Sequence, residues 1–234
     1  MLPKAVFFDL DDTILSYHQV SLPAWRQVCN DFVSKKHQLE VGTLLEAINQ
    51  AARIYWTDPE RHRLGRLSLD QARREVVKAA LQDFEFFNES EAYELADGYS
   101  NLHQELIHPF SEAIETLQEL VRRGVKLALI TNGNAKKQRY KIDKFKLAEY
   151  FEVCLVEEEV GFGKPDRRVF ELAMEKLGVT PSETWMVGDN LEWDIEIPKQ
   201  LGIYTIWNDY LKRGLPTGSK IMPDQIIYQI SELL

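Results

Sequence analysis

The sequence predicts an α/β protein: a doubly wound, mostly parallel sheet interrupted by an inserted all-helical domain. Three observations lead there. Residues 4–8 form a short apolar run that reads as one buried strand. From about Ser21 to Leu106 the periodicity is helical throughout. After His108-Pro109, short apolar runs alternate with helical stretches, which is the pattern of a parallel sheet covered on both faces. The α/β core is therefore expected to comprise residues 1–15 and 108–234, and the helical domain residues 16–107.

Within the helical block, Ser21 with Pro23 reads as a helix start leading into Trp25, Val28, Cys29 and Phe32 at helical spacing. A second helix is expected over Val41–Trp56, ending near Asp58-Pro59. Ser68 is a candidate cap for a third, Leu69–Leu81, and a fourth runs near Glu89–Leu106. Beyond His108-Pro109, Ser111 is expected to cap a helix that reaches Arg123 and stops at Gly124. Then follow a strand at Val125–Ile130, a polar helix over 135–149 and a strand at Val153–Val156. A helix over Arg167–Leu177 ends at Gly178. Strands at Thr184–Val187 and Ile203–Trp207 and a closing helix over Asp224–Leu233 complete the chain.

Composition excludes several classes. A chain of 234 residues with 44% hydrophobic and 28% charged residues is long enough to bury a substantial core. Its formal net charge of −9 argues against a nucleic-acid polymer or an anionic membrane surface as the main partner. Ala5–Phe8 is too short for an export signal, and no apolar run approaches a membrane span. Cys29 and Cys154 lie far apart without C-x-x-C spacing, so free thiols in a reducing, cytoplasmic setting are expected.

The polar residues collect where the strands end. The first strand runs into Asp9-Leu10-Asp11-Asp12-Thr13. Ile130 is followed by Thr131-Asn132-Gly133-Asn134, and Val187 by Gly188-Asp189-Asn190, with Asp194 five positions beyond Asp189. Gly163-Lys164-Pro165 precedes a helix. Open parallel sheets bind ligands beyond the carboxyl ends of their strands, so four such clusters point at one place. Crowded carboxylates repel, and burying them without partners is expensive. A bound cation resolves the conflict: Asp9, Asp11 and Asp189 offer three hard oxygen donors, which suits Mg²⁺, and no His or Cys cluster suggests a softer metal. Lys164 adds a second positive charge for an anionic substrate. The Thr131 hydroxyl and the backbone N–H groups of the Asn132–Asn134 turn are candidates for holding phosphoryl oxygens.

Taken together these residues resemble the four motifs of the haloacid dehalogenase superfamily: D-x-D-x-T at Asp9, Asp11 and Thr13; a strand ending in Thr131-Asn132; Lys164 before proline; and an acidic motif at Asp189 and Asp194. The resemblance implies a Rossmann-like core with a helical cap at 16–107, and a Mg²⁺-dependent phosphatase acting on a small-molecule phosphate monoester such as a nucleoside monophosphate, a sugar phosphate or phosphoglycolate. It implies that Asp9 attacks phosphorus and that Asp11 acts as acid and then base. Thr131, Asn132 and Lys164 would hold phosphate. The Asp9 and Asp189 carboxylates with the Asp11 carbonyl would hold the metal, while Thr13, Asp194 and Asn190 support the site. Ile197-Pro198 stands where family members usually have small residues, so altered packing is expected there.

Three other readings use similar residues. A phosphomutase shares every motif. A metal-free haloacid dehalogenase lacks the second acid that Asp11 supplies. A phospho-receiver module carries its phosphorylated Asp after a later strand and has no inserted helical block. Monomer and homodimer are both compatible with the sequence.

Overall fold

A computed structural model describes residues 2–35, 39–85 and 87–234. Six parallel strands form one sheet: β1 (Ala5–Phe8), β2 (Lys126–Thr131), β3 (Val153–Val156), β4 (Thr184–Gly188), β5 (Tyr204–Asn208) and β6 (Gln225–Ile227). Their order is β3-β2-β1-β4-β5-β6. The chain thus winds outward from β1 in one direction, returns, and winds outward in the other; this is the doubly wound arrangement, with its switch point between β1 and β4. Register is continuous across that point, since Phe8 pairs with Leu129 on one side and Val187 on the other.

The chain divides into two compact units, residues 1–16 with 108–234, and residues 17–107. In the first, β1 is buried along its whole length, as expected of a central strand with both faces covered. Alternation sends Ala5 and Phe7, with Ala128, Ile130 and Met186 of the neighbouring strands, into a core shared with α9 (Arg167–Leu177). The Ser16 N–H donates to the His108 carbonyl at 2.9 Å, and Leu15 bridges Pro109, so the two crossing segments are fastened to each other within this unit.

The second unit holds α1 (His18–Val33), α2 (Val41–Thr57), α3 (Pro59–Leu67), α4 (Leu69–Leu81) and α5 (Glu89–Leu106). Cys29, Leu44, Ile48, Val76, Val77, Leu81, Leu95 and Ala96 give it a hydrophobic core of its own. Among the described residues, no helix of the chain is long and apolar enough to cross a membrane.

Several boundaries differ from expectation, each for a physical reason. The closing helix over Asp224–Leu233 is instead β6 followed by a 3₁₀ turn at Ile230–Leu233. The Asp224 carboxylate accepts from the Thr205 N–H and hydroxyl at 2.9 and 2.8 Å, and its own N–H donates to the Thr205 carbonyl, which docks the segment on β5. Helix α1 begins at His18 with Pro23 inside it, because the Ser21 hydroxyl pairs with Tyr99 Oη at 2.8 Å rather than capping. Asp58-Pro59 both ends α2 and starts α3: Asp58 Oδ1 accepts from the Arg61 N–H at 2.8 Å, and proline suits a first helical turn. Glu112, not Ser111, precedes α6 (Ala113–Arg122), in a left-handed conformation. The polar helix α7 (Ala135–Lys144) stops five residues early, and a 3₁₀ turn at Leu147–Glu149 follows.

Candidate active site

The carboxyl ends of β1 and β4 meet at the switch point and deliver the acids. Asp9 continues the ladder, its N–H donating to the Val187 carbonyl at 2.9 Å. Extended geometry ends there: Asp11 bridges Leu15 and Asp12 takes a left-handed conformation, so residues 9–15 close a tight turn. In consequence the two acids part company. Asp9 Oδ1 accepts from Lys164 Nζ at 2.5 Å, whereas both oxygens of Asp11 accept from Lys141 Nζ, at 2.6 and 2.5 Å.

Lys164 is almost fully buried, with 1% of its side chain exposed, and reaches a second carboxylate, Asp194 Oδ1, at 2.7 Å. The backbone arranges this approach through two glycines. A Cβ at Gly188 would stand 2.3 Å from Asp194 Cγ, so only glycine lets that carboxylate lie against β4. A Cβ at Gly163 would stand 2.5 Å from Asn132 Oδ1, and that amide pairs with both the N–H and the carbonyl of Lys164 at 2.8 and 2.6 Å. The Asn132 side chain therefore braces the lysine. Asn190 caps a one-turn π-helix at Leu191–Glu196, its Oδ1 accepting from the Glu192 and Trp193 N–H groups and its own N–H donating to Asp194 Oδ2. That turn swings Asp194 back beneath β4, and α10 (Ile197–Gln200) follows with Pro198 buried in its first turn. Ile197-Pro198 is accommodated there without disturbing the acids.

Ligand oxygens of Asp9, Asp189 and Asp194 all lie within 4.8 Å of one another. Carboxylate oxygens gathered this closely are hard donors of the kind a divalent cation such as Mg²⁺ takes, and Asp194, already paired with Lys164, stands beside Asp9 and Asp189 in the cluster. Three carboxylates against the single Lys164 ammonium leave an excess of negative charge when all are ionised, and the pKa shifts express it. Burial pushes the Asp9 carboxyl up to about 7, with Lys164 pulling it down and Asp194 adding to the rise. Burial also raises Asp189 well above the usual carboxylate range, reinforced by Asp9 and Asp194. Burial works against the Lys164 charge, but Asp194 and Asp9 outweigh it and hold the ammonium protonated. The donor set suits a hard divalent cation such as Mg²⁺.

Thr131 lies buried at the end of β2, its hydroxyl 2.5 Å from Gln138 Nε2. The turn after it is less open than the sequence implied, because the Gly133 N–H donates to Glu157 Oε2 and the Ala135 N–H to Glu158 Oε2. Thr13 is buried as well, and its Oγ1 has no hydrogen-bond partner among the described residues. Four residues near the site were not singled out by the sequence. Gln138 and Lys141 sit on the face of α7 that also buries Ile142, a spacing of three and four residues that marks one side of a helix. Glu157, at the start of the short helix α8 (Glu157–Val160), holds the Gly133 turn, and the Tyr210 hydroxyl hydrogen-bonds to Asp12 just beyond the end of β5.

A family model, curated proteins and solved structures all match this chain. The family model of haloacid dehalogenase-like hydrolases matches residues 3–202. The phosphoserine phosphatase of Thermus thermophilus is 31% identical, over 98% of this chain and 97% of that protein. A glyceraldehyde 3-phosphate phosphatase of Methanocaldococcus jannaschii is 27% identical, over 87% and 83%. Among solved structures, a magnesium-bound hydrolase of Bacillus subtilis superposes with a TM-score of 0.75 at 21% identity, over the whole of this chain and 97% of the other, a likeness of fold. With the doubly wound sheet and the strand-end acids already in place, a match over most of its length shows that this chain belongs to the haloacid dehalogenase-like hydrolase family.

Proposed function

We propose that the chain is a Mg²⁺-dependent phosphatase that hydrolyses a small-molecule phosphate monoester through an aspartyl-phosphate on Asp9. One observation carries this reading: the buried Asp9 carboxylate sits against the Lys164 ammonium at the switch point, while a second acid two residues on, Asp11, is held apart by another lysine. One acid is thus available to attack and the other to move protons.

In the first half-reaction an Asp9 oxygen attacks phosphorus, the bond from phosphorus to the ester oxygen breaks, and Asp11 gives its proton to the departing alkoxide. In the second, Asp11 takes a proton from water as the water oxygen attacks phosphorus. The bond to Asp9 then breaks, and inorganic phosphate leaves. Lys164, the Thr131 hydroxyl and the Asn132 backbone N–H hold the non-bridging oxygens. The Asp9 and Asp189 carboxylates with the Asp11 carbonyl would hold Mg²⁺, which when bound would supply positive charge against the phosphoryl dianion. Asp194 positions Lys164, Asn190 positions Asp194, and Thr13 supports the turn that presents Asp11. Residues 16–107 act as the cap.

Halide displacement has no alkoxide to protonate and no dianion to neutralise, so Asp11 and the acid trio would be superfluous in a dehalogenase. The relatives named above act on a phosphorylated amino acid and a phosphorylated triose, which share a phosphoryl group on a small alcohol. A cytoplasmic metabolite ester is the substrate class we assign. Release of inorganic phosphate from a panel of metabolite phosphates with Mg²⁺ present tests the reading. Turnover on at least one ester, abolished in Asp9→Asn, is expected; no phosphate release from any ester would overturn it.

A further inference from the structure

We propose that Lys141 and Gln138 are positioning residues for Asp11, holding its carboxylate where proton transfer takes place. The inference rests on the assignment of Asp11 as acid and base.

Helix α7 is polar, and only Gln138, Lys141 and Ile142 of it are buried. Two of those three are therefore polar side chains placed where packing alone would favour apolar ones. Both aim at the same carboxylate. Lys141 Nζ lies 2.6 and 2.5 Å from the two oxygens of Asp11, and Gln138 Nε2 lies 3.2 Å from Oδ2. The Lys141 side chain is 6% exposed, whereas that of Asp11 is 27% exposed, so the lysine is the fixed member and the acid faces outward from it. Burying an ammonium is costly unless it is closely paired, and the partner met here is the residue that must change protonation state during turnover.

Gln138 adds a second constraint. The same Nε2 also lies 2.5 Å from Thr131 Oγ1 and 2.9 Å from the Asn132 carbonyl. One amide thus ties the Asp11 carboxylate to the end of β2, where the non-bridging phosphoryl oxygens are assigned. The distance between the proton-transfer group and the phosphoryl cradle is then set by α7.

A residue that acts only through Asp11 has a distinctive kinetic signature. In formation of the phosphoenzyme its removal should matter most where the leaving group needs a proton, and in neither half-reaction should it matter once Asp11 is already disabled. The test uses the full chain with Mg²⁺ and two esters, phenyl phosphate and p-nitrophenyl phosphate. Lys141→Met should lower kcat/KM, which reports formation of the phosphoenzyme, about 100-fold on phenyl phosphate, as misplacement of a reacting group does, and by about tenfold or less on p-nitrophenyl phosphate, while kcat falls on both because both share the water-attack step. In an Asp11→Asn background, adding Lys141→Met should change kcat less than about twofold. Equal losses of kcat/KM on both esters, or a full multiplicative loss in the double variant, would overturn the proposal and make the pair structural. Should Lys141→Met fail to fold, Lys141→Gln, which keeps a donor without the charge, is read in the same way. Wild-type turnover of both esters by Asp11→Asn alone would instead remove the acid–base assignment itself.

Discussion

Gly188→Ala tests the packing that joins β4 to the lysine. The added methyl carbon would meet Asp194 Cγ and Oδ2 at 2.3 Å and Cβ at 2.5 Å, separations that no rotamer of alanine can relieve. Either β4 shifts or Asp194 moves, and β4 is pinned on both sides by β1 and β5. Asp194 must therefore give way. It then loses its contacts with Lys164 Nζ at 2.7 Å and the Asn190 N–H at 3.0 Å. Overpacking a tight interior costs about 1–3 kcal/mol, and a hydrogen bond to a charged group is worth about 1.5–3 kcal/mol. Relaxation recovers part of this sum, so a net loss of about 3–5 kcal/mol is expected, which lowers the melting temperature by roughly 10 °C for a chain of this size. Displaced Asp194 also releases Lys164 from its position beside Asp9, so kcat should fall about 100-fold. Thermal unfolding and steady-state phosphate release measure the two effects on one preparation. A variant with unchanged melting temperature and near-normal kcat/KM would refute the steric argument.

Other consequences are equally direct. Lys164→Met leaves Asp9 and Asp194 buried without their shared cation; loss of one partner of a buried pair costs about 3–5 kcal/mol, and both urea unfolding and a collapse of kcat/KM should register it. Excess EDTA should abolish turnover, and titrating Mg²⁺ into the chelated protein should raise the melting temperature by mass action; full activity in EDTA would exclude the metal assignment. In metal-free buffer Asp9 binds a proton more tightly folded than unfolded, because its pKa is raised from 3.8 to about 7. The unfolding free energy of wild type relative to Asp9→Asn should consequently decrease as pH rises from about 4 to about 7, and a difference that increases over that window would contradict the assigned environment.

The parts of this fold that were legible in the sequence are those whose ends carry chemistry. The end of helix α9 is legible because Gly178 takes the left-handed conformation there, and the structure adds a cap at its start, where Asp166 accepts from the Arg168 N–H at 3.0 Å. The strand-end acids were legible because β1 and β4 are short apolar runs with abrupt polar boundaries. The sequence is ambiguous where one signal has two meanings. Asp58-Pro59 served as both a stop and a start, which concealed α3. The run Gln225-Ile226-Ile227-Tyr228 carries apolar residues at spacings that suit either a strand or a helix, and only the tertiary tether of Asp224 to Thr205 decides between them. Gln138 and Lys141 are silent in the sequence for a different reason. Polar residues in a polar helix carry no signal until the sheet shows which face is covered.

The central claim is that Asp9 receives the phosphoryl group and Asp11 moves the protons. It is tested most directly by acid quench of the Asp11→Asn variant with a labelled aryl phosphate, followed by peptide mapping. A good leaving group needs little protonation, so the phosphoenzyme should form; water attack still needs a base, so the intermediate should accumulate. The account predicts label on Asp9 in Asp11→Asn, and neither label nor turnover in Asp9→Asn. Label on any other residue, or wild-type turnover by Asp11→Asn, would contradict it.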